Sequence, residues 1–159
     1  MSFSTLKEIL EVSEAKQVPF WETVLLDDMK ERGVEREVSF ETMRGMYQAM
    51  RLADVDYDAD LRSASGLAGG DGAKLEAFRH KENRLIGDFL TKVMEKAVKM
   101  GESNACMKRI VAAPTAGSCG VIPAVLLSYE EQREVGEERM VEALFVAACI
   151  IASLSPPSK

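Results

Sequence analysis

The chain has 159 residues, 47% of them hydrophobic, which suits one domain with a packed core and argues against a disordered chain. Its formal charge is −6, from 26 acidic and 20 basic residues, which argues against sequence-independent binding to nucleic acid or to an anionic membrane. No apolar run reaches the ~20 residues that span a bilayer.

The first residues carry acids where a signal peptide would carry a basic region and an apolar stretch, so the expected compartment is the cytoplasm. Three cysteines without paired spacing suit a reducing compartment better than a disulfide framework. Ser4–Val12 reads as a short amphipathic helix with Leu6, Ile9 and Leu10 on one face. Ser13 is placed to cap a second helix, Glu14–Arg32, whose apolar face is Phe20, Val24, Leu25 and Met29. Pro19 moves the start of that helix toward itself, because proline is tolerated in a first turn, and Gly33 ends it. Trp21, the only tryptophan, reads as a core or interface anchor.

Ser39 is the expected cap of a third helix. Met43, Met46, Tyr47, Met50 and Leu52 give it an adaptable core face. The alternating acids Asp54, Asp56, Asp58 and Asp60 resemble the start of a calcium loop. Ala59 stands where the loop glycine is required and Ser65 where the closing glutamate is required, so the run reads as a solvated acidic turn.

A glycine-rich loop, Ser63–Gly72, follows. It matches neither a P-loop nor a dinucleotide fingerprint. Asp71 is placed to cap the next helix, which carries Leu75 and Phe78, so the loop is expected to present small residues and free N–H groups at a helix start. Asn83–Met100 is the clearest helix. Leu85, Ile86, Phe89, Leu90, Val93, Met94, Ala97 and Val98 form its apolar stripe, and Lys92, Glu95, Lys96 and Lys99 occupy the other face. Gly101 is the expected stop, and Ser103 the cap of a short helix through Met107.

The second small-residue loop is Ala113-Pro114-Thr115-Ala116-Gly117-Ser118-Cys119-Gly120, between the apolar runs Ile110–Ala113 and Val121–Leu127. Pro114 fixes φ, while Gly117 and Gly120 permit positive φ and close approach. Feeding a helix that starts near Gly120, the loop aims N–H groups at one point, the generic anion site of a helix N-terminus. Pro123 falls in the first turn of that helix, which runs to Glu131 and is broken by Gly136. Glu137–Ala152 closes the series, with Met140, Val141, Leu144, Phe145, Ala148 and Cys149 on its buried side. No segment alternates with period two, so the expected fold is all-α, a multi-helix array of about seven helices with two glycine-rich loops at helix N-termini.

The loop Ala113–Gly120 resembles the APTAGSxG segment of the α-chain of the iron–sulfur-dependent L-serine dehydratases. Ser65-Gly66-Leu67-Ala68-Gly69-Gly70-Asp71 with Ala73-Lys74-Leu75 resembles that family's second signature, and the two stand in the family order. The resemblance runs to about Ile151. It implies conversion of L-serine to pyruvate and ammonia without pyridoxal phosphate. A 4Fe–4S cluster held by three cysteines would act as the Lewis acid on the serine hydroxyl. It also implies a substrate pocket walled by Ser65, Gly66, Gly69 and Gly70 with Thr115, Gly117 and Ser118.

The family's cluster cysteines are expected beyond Lys159, so no metal ligand is assigned within the chain. Residues 1–159 then read as the N-terminal part of a longer α-chain, inactive alone, with 154–159 a non-native end. A separate β-chain is the expected partner, and exposed apolar helix faces imply a homo-oligomer. Cys106 and Cys149 read as small buried hydrophobes, while Cys119 is open to a reactive-thiol role. His80, the only histidine, reads as a surface or packing residue or as a base, and Lys74 as a helix cover or a carboxylate partner. Two alternatives stand beside the enzyme. One is a small-molecule module binding an amino acid or anion through its loops; the other is a helical interaction domain docking through Met-rich faces.

Overall fold

A computed structural model describes Phe3 and residues 5–82, 85–112 and 115–154. Ser4, Asn83, Ala113, Pro114 and the tail 155–159, on which several of these expectations fall, lie outside the described residues. The described residues form seven α-helices and one 3₁₀ turn, with no strand. The helices are α1 (Leu6–Lys16), α2 (Phe20–Arg32), α3 (Arg36–Val55), α4 (Asp71–Arg79), α5 (Asp88–Ala105), α6 (Val121–Arg133) and α7 (Glu137–Leu154). The fold is all-α, as the sequence implies. No helix among the described residues is long and apolar enough to cross a membrane.

The chain divides into two compact units, Met1–Tyr47 with Glu137–Lys159 and Gln48–Gly136; the boundary falls inside α3. In the first unit α2 packs on α1 and on α7. Ile9, Val24, Leu25, Met140, Val141, Leu144, Phe145 and Cys149 are buried, so the apolar face read for α7 holds except at the exposed Ala148. An aromatic row continues the core. Phe40 meets Trp21 edge-on at 6.2 Å and stacks on Phe145 at 6.1 Å, with the Arg44 guanidinium 5.3 Å above the Phe40 ring.

The two caps expected in this unit, Ser13 and Ser39, are not made. α1 is capped by the Thr5 hydroxyl, which accepts the Glu8 N–H at 3.2 Å. Ser13 lies inside α1, and its hydroxyl donates to the Val18 carbonyl at 2.7 Å. α2 begins at Phe20 behind Pro19, and Gly33 ends it with φ +63°, both as read. Ser39 lies within α3 and is buried; its hydroxyl donates to Asp28 at 2.6 Å, a tertiary partner that replaces the capping role.

The second unit is organised around α5, which packs against α4 and α6. Gly101 does not stop α5, nor does Ser103 start a helix; both lie within it, and the turn comes at Met107, whose φ is +63°. Of the expected methionine face, Met50 is buried while Met46 and Leu52 are exposed.

α5 reverses its expected polarity. Leu90 is 53% exposed and Met94 40%, whereas Thr91, Glu95, Lys96 and Glu102 are buried. The reason is pairing. The Glu95 carboxylate accepts from Arg79 at 2.7 Å and Lys99 at 2.7 Å, and Lys96 pairs with Asp54 and, at 2.9 Å, with Glu131. Asp54 is therefore an ion-pair partner at the end of α3, not part of a solvated turn. Asp58 shapes the rest of the run by accepting the Asp60 N–H at 2.9 Å.

Candidate functional site

Both glycine-rich loops belong to the second unit and both press on α5. In the first, Ser63 closes a ring: its N–H donates to the Ala68 carbonyl at 2.9 Å, and its hydroxyl accepts the Ala68 N–H at 3.1 Å. Ser65 sits at the exposed tip, its hydroxyl 3.1 Å from that of Ser63, and Gly66 (φ +73°) turns the chain. Gly69 and Gly70 follow at φ +132° and +86°. A Cβ on Gly69 would lie 2.2 Å from the Leu61 carbonyl oxygen, so both positive φ and crowding demand glycine there.

The N-terminus of α4 is not left for a ligand. One oxygen of Glu102 accepts the Asp71 N–H at 2.7 Å; the other accepts the Gly72 N–H at 3.1 Å and the Tyr57 hydroxyl at 2.6 Å. A carboxylate from α5 thus does what an anion does at a helix start. Burial pushes the Glu102 carboxyl up, but the bonds from Tyr57, Gly72 and Asp71 outweigh it and hold the group below the ordinary glutamate value. Burial and the same carboxylate push the Tyr57 phenol up. Asp71, the expected cap, is the first helical residue. Its carboxylate binds Lys74 at 2.7 Å on an exposed surface, which makes Lys74 a carboxylate partner. The expectation of free N–H groups at this helix is corrected at Asp71 and Gly72.

In the second loop Ala116–Ser118 forms the 3₁₀ turn. The Thr115 and Ser118 hydroxyls stand 3.0 Å apart, and the Ser118 N–H donates to the Thr115 carbonyl at 3.1 Å. Gly117 is exposed with room for a side chain; Gly120 is buried, and a Cβ there would lie 2.5 Å from the Ala97 carbonyl oxygen. Gly120 has φ −80°, so glycine serves close approach to α5, not a left-handed turn.

Cys119 is buried, its thiol 3.9 Å from the Met100 carbonyl, and burial pushes that thiol up. A depressed thiol pKa at a helix start is therefore corrected: desolvation wins. Cys149 is buried as read, while Cys106 is only half-buried at the end of α5. His80 ends α4 beside a wide cleft shared with Arg79, Glu82 and Asp88.

Each loop gathers its own residues: Ser65, Gly66, Gly69 and Gly70 on one side of α5, Thr115, Gly117 and Ser118 on the other. Gly72 abuts Lys99 and Gly120 abuts Ala97, two positions apart and thus about 200° around the helix. The residue that reading by motif missed is Glu102. With Gly101 taken as a stop, its helical register with Glu95 and Lys99 was hidden.

The profile of the serine dehydratase alpha chain family matches residues 15–155. The chain belongs to that family. Among its relatives, a probable L-serine dehydratase alpha chain of Bacillus subtilis (strain 168) is 32% identical over 145 residues, covering 91% of this chain and 48% of the relative. The L-serine dehydratase alpha chain of Peptoniphilus asaccharolyticus is 28% identical over 131 residues, 81% of this chain and 44% of the relative. L-serine dehydratase TdcG of Escherichia coli (strain K12) is 45% identical over 58 residues, 36% of this chain and 13% of the relative. The chain spans less than half the length of these relatives. No solved structure matches it.

Proposed function

We propose that this chain is part of an L-serine dehydratase that converts L-serine to pyruvate and ammonia. The observation that carries the reading is family membership across residues 15–155, which include both glycine-rich loops. In this proposal Ser65, Gly66, Gly69 and Gly70 on one side of α5 and Thr115, Gly117 and Ser118 on the other are substrate-binding walls that the part of the enzyme outside this chain closes into a site. Exposed hydroxyls at Ser65 and Thr115, with small neighbours, suit a small zwitterion held by hydrogen bonds.

The cysteines present do not fit a 4Fe–4S cluster. Cys119 and Cys149 are buried with thiols pushed up by desolvation, against thiolate ligation, and among the described residues no group of three His, Cys, Asp or Glu side chains is placed to hold a metal ion. The proposal therefore puts the cluster ligands in the part of the relatives that this chain does not span, without pyridoxal phosphate, and derives no step of the reaction within this segment. It includes a β-chain partner, since two relatives are named as alpha chains, and a cytoplasmic setting. Exposed Ile150 on α7 and Val121, Val125 and Tyr129 on α6 support self-association of the chain.

The test is pyruvate formation from L-serine, with L-threonine as comparator, by the full-length α-chain with its β-chain after anaerobic treatment with iron and sulfide. Activity of that assembly and none of residues 1–159 alone is the expected result. An inactive assembly overturns the function; an active isolated chain overturns the placement of the cluster ligands. Light scattering that gives a monodisperse monomer overturns self-association.

A further inference from the structure

α5 turns an apolar side outward. Ion pairs and hydrogen bonds draw Glu95, Lys96 and Glu102 inward, and the arc left outside, Leu90, Met94, Ala97, Val98, Gly101 and Ala105, carries no charge. Steps of three and four residues hold these side chains within about 100° of the helix circumference. Leu90, Met94, Gly101 and Ala105 are exposed, and a Cβ on Gly101 would meet no atom within 4 Å. Ala97 and Val98 are half-buried, because the start of α6 presses Gly120 on Ala97. An apolar stripe along a whole helix is the mark of an interaction surface.

The order of sizes along the stripe points to its occupant. The bulky pair, Leu90 and Met94, stands at the N-terminal end, and the small pair, Gly101 and Ala105, at the C-terminal end. Leu90 and Ala105 are equally far from the point between Ala97 and Val98, and so are Met94 and Gly101. A second α5 laid antiparallel across a two-fold axis at that point sets Leu90 of each copy against Ala105 of the other, and Met94 against Gly101. Bulk meets space at every step, which is the self-complementarity an isologous contact needs. The charges agree with the sizes. α5 opens on Asp88, and Lys108 and Arg109 follow its C-terminus, so the same axis brings the acidic start of one helix to the basic end of the other.

α6 widens the face. It runs antiparallel beside α5, with Gly120 at Ala97 and Glu131 at Lys92, and by helical register its exposed Val121 and Val125 fall on the same side as Leu90 and Met94. Both helices are needed to approach the roughly 800 Å² per partner of a stable dimer.

We propose that this face docks a second copy of the chain through an antiparallel contact of α5 with α5. It rests on the self-association proposed above and gives it a surface, a symmetry and a register. Met94 fills the gap over Gly101 on each side of the axis, so size at these two positions sets the fit.

The experiment is sedimentation velocity of the chain between about 1 and 500 µM. A concentration-dependent dimer is expected. Gly101→Met, which the free chain accommodates, should weaken it by about tenfold or more, because Met would then oppose Met94. Met94→Ala combined with Gly101→Met exchanges bulk and space and should restore the dimer, which no general loss of fold or of apolar surface would do. Ile150→Glu on α7 should leave the dimer unchanged. A dimer that survives Gly101→Met and is lost in Ile150→Glu overturns this face while leaving self-association standing, and a monomer at every concentration overturns both. A chain that stays monomeric and instead binds the part of the Bacillus subtilis relative outside the match, with Gly101→Met blocking that binding, assigns the face to that segment and overturns the proposal.

Discussion

The carboxylate of Glu102 accepts the backbone N–H of Gly72 at 3.1 Å and, through its other oxygen, that of Asp71 at 2.7 Å. This pair of bonds ties the start of α4, and with it the loop that carries Ser65 to Gly70, to the last turns of α5. Removing the charge weakens the capping of two helix N–H groups and strands the Tyr57 hydroxyl. Glu102→Ala should destabilise the chain by about 1–3 kcal/mol, and Glu102→Gln by less, since an amide oxygen still accepts. Urea unfolding followed by circular dichroism measures both. Because the folded Glu102 and Glu95 carboxyls are held below their ordinary value, their contribution is present above the unfolded pKa of about 4.3. It is lost as pH falls through the folded values. In Glu102→Gln the loss of stability between about pH 5 and pH 3 should be shallower than in the parent.

Gly120 and Gly117 stand three residues apart and should respond in opposite ways to alanine. At Gly120 the new methyl would meet the Ala97 carbonyl oxygen at 2.5 Å, a backbone atom in the middle of α5 that has nowhere to move. Overpacking of this kind destabilises by about 1–3 kcal/mol. At Gly117 the nearest atom is the Thr115 hydroxyl oxygen at 3.8 Å, so Gly117→Ala should change stability by less than about 0.5 kcal/mol. Thermal unfolding of the two variants separates these outcomes. Equal midpoints would show that Gly120 does not press on α5.

Lys96 lies between Asp54 and Glu131 with its side chain almost fully buried. Lys96→Ala leaves Asp54, which already has one carboxylate oxygen without a partner, buried beside a void. The expected loss is about 3–5 kcal/mol, the range for breaking a buried pair. Lys92→Ala, which removes a contact at 3.2 Å to the same but more exposed Glu131, should remove less than about 1 kcal/mol. Burial pushes the Lys96 ammonium down, but its bonds to Asp54 and Glu131 raise it above the ordinary value. Its contribution is thus present below the unfolded pKa of about 10.4 and is lost as pH rises through the folded value, opposite in sign to Glu102. Denaturant midpoints at pH 7 and in the alkaline range test both claims.

Helix identity was legible wherever apolar spacing and local stops agreed, as in α7 with Met140, Val141, Leu144, Phe145 and Cys149, and in α2 between Pro19 and Gly33. It failed where a polar residue had a distant partner. Ser39 looked like a cap because its tie to Asp28 is tertiary, and Gly101 looked like a stop because nothing local announces that Glu102 grips the start of the preceding helix, α4. The burial of Glu95 and Lys96 was invisible for the same reason: hydropathy ranks them outside, and only their partners on α4, α3 and α6 bring them in. The two glycine-rich loops were legible as loops at helix starts. Which glycines serve φ and which serve close approach depends on α5, and no local pattern encodes that.

The three thiols should separate cleanly by reactivity. Cys119 and Cys149 are buried, and burial pushes both thiols up; the Ser153 hydrogen bond opposes the shift at Cys149, and the Asp27 charge adds to it. The thiolate, the reactive form, is therefore scarce at these two positions near neutral pH, and access is blocked as well. Cys106 is half-buried at the C-terminal end of α5, where reagent can reach it. With 5,5′-dithiobis(2-nitrobenzoic acid) in native buffer, one thiol should react promptly and two only when the chain opens or is unfolded in guanidinium. Peptide mass spectrometry after brief labelling should place the fast adduct on Cys106. Prompt labelling of Cys119 would mean that the second loop stands open enough to expose its thiol, contrary to the packing of Gly120 and Cys119 against Ala97 and Met100.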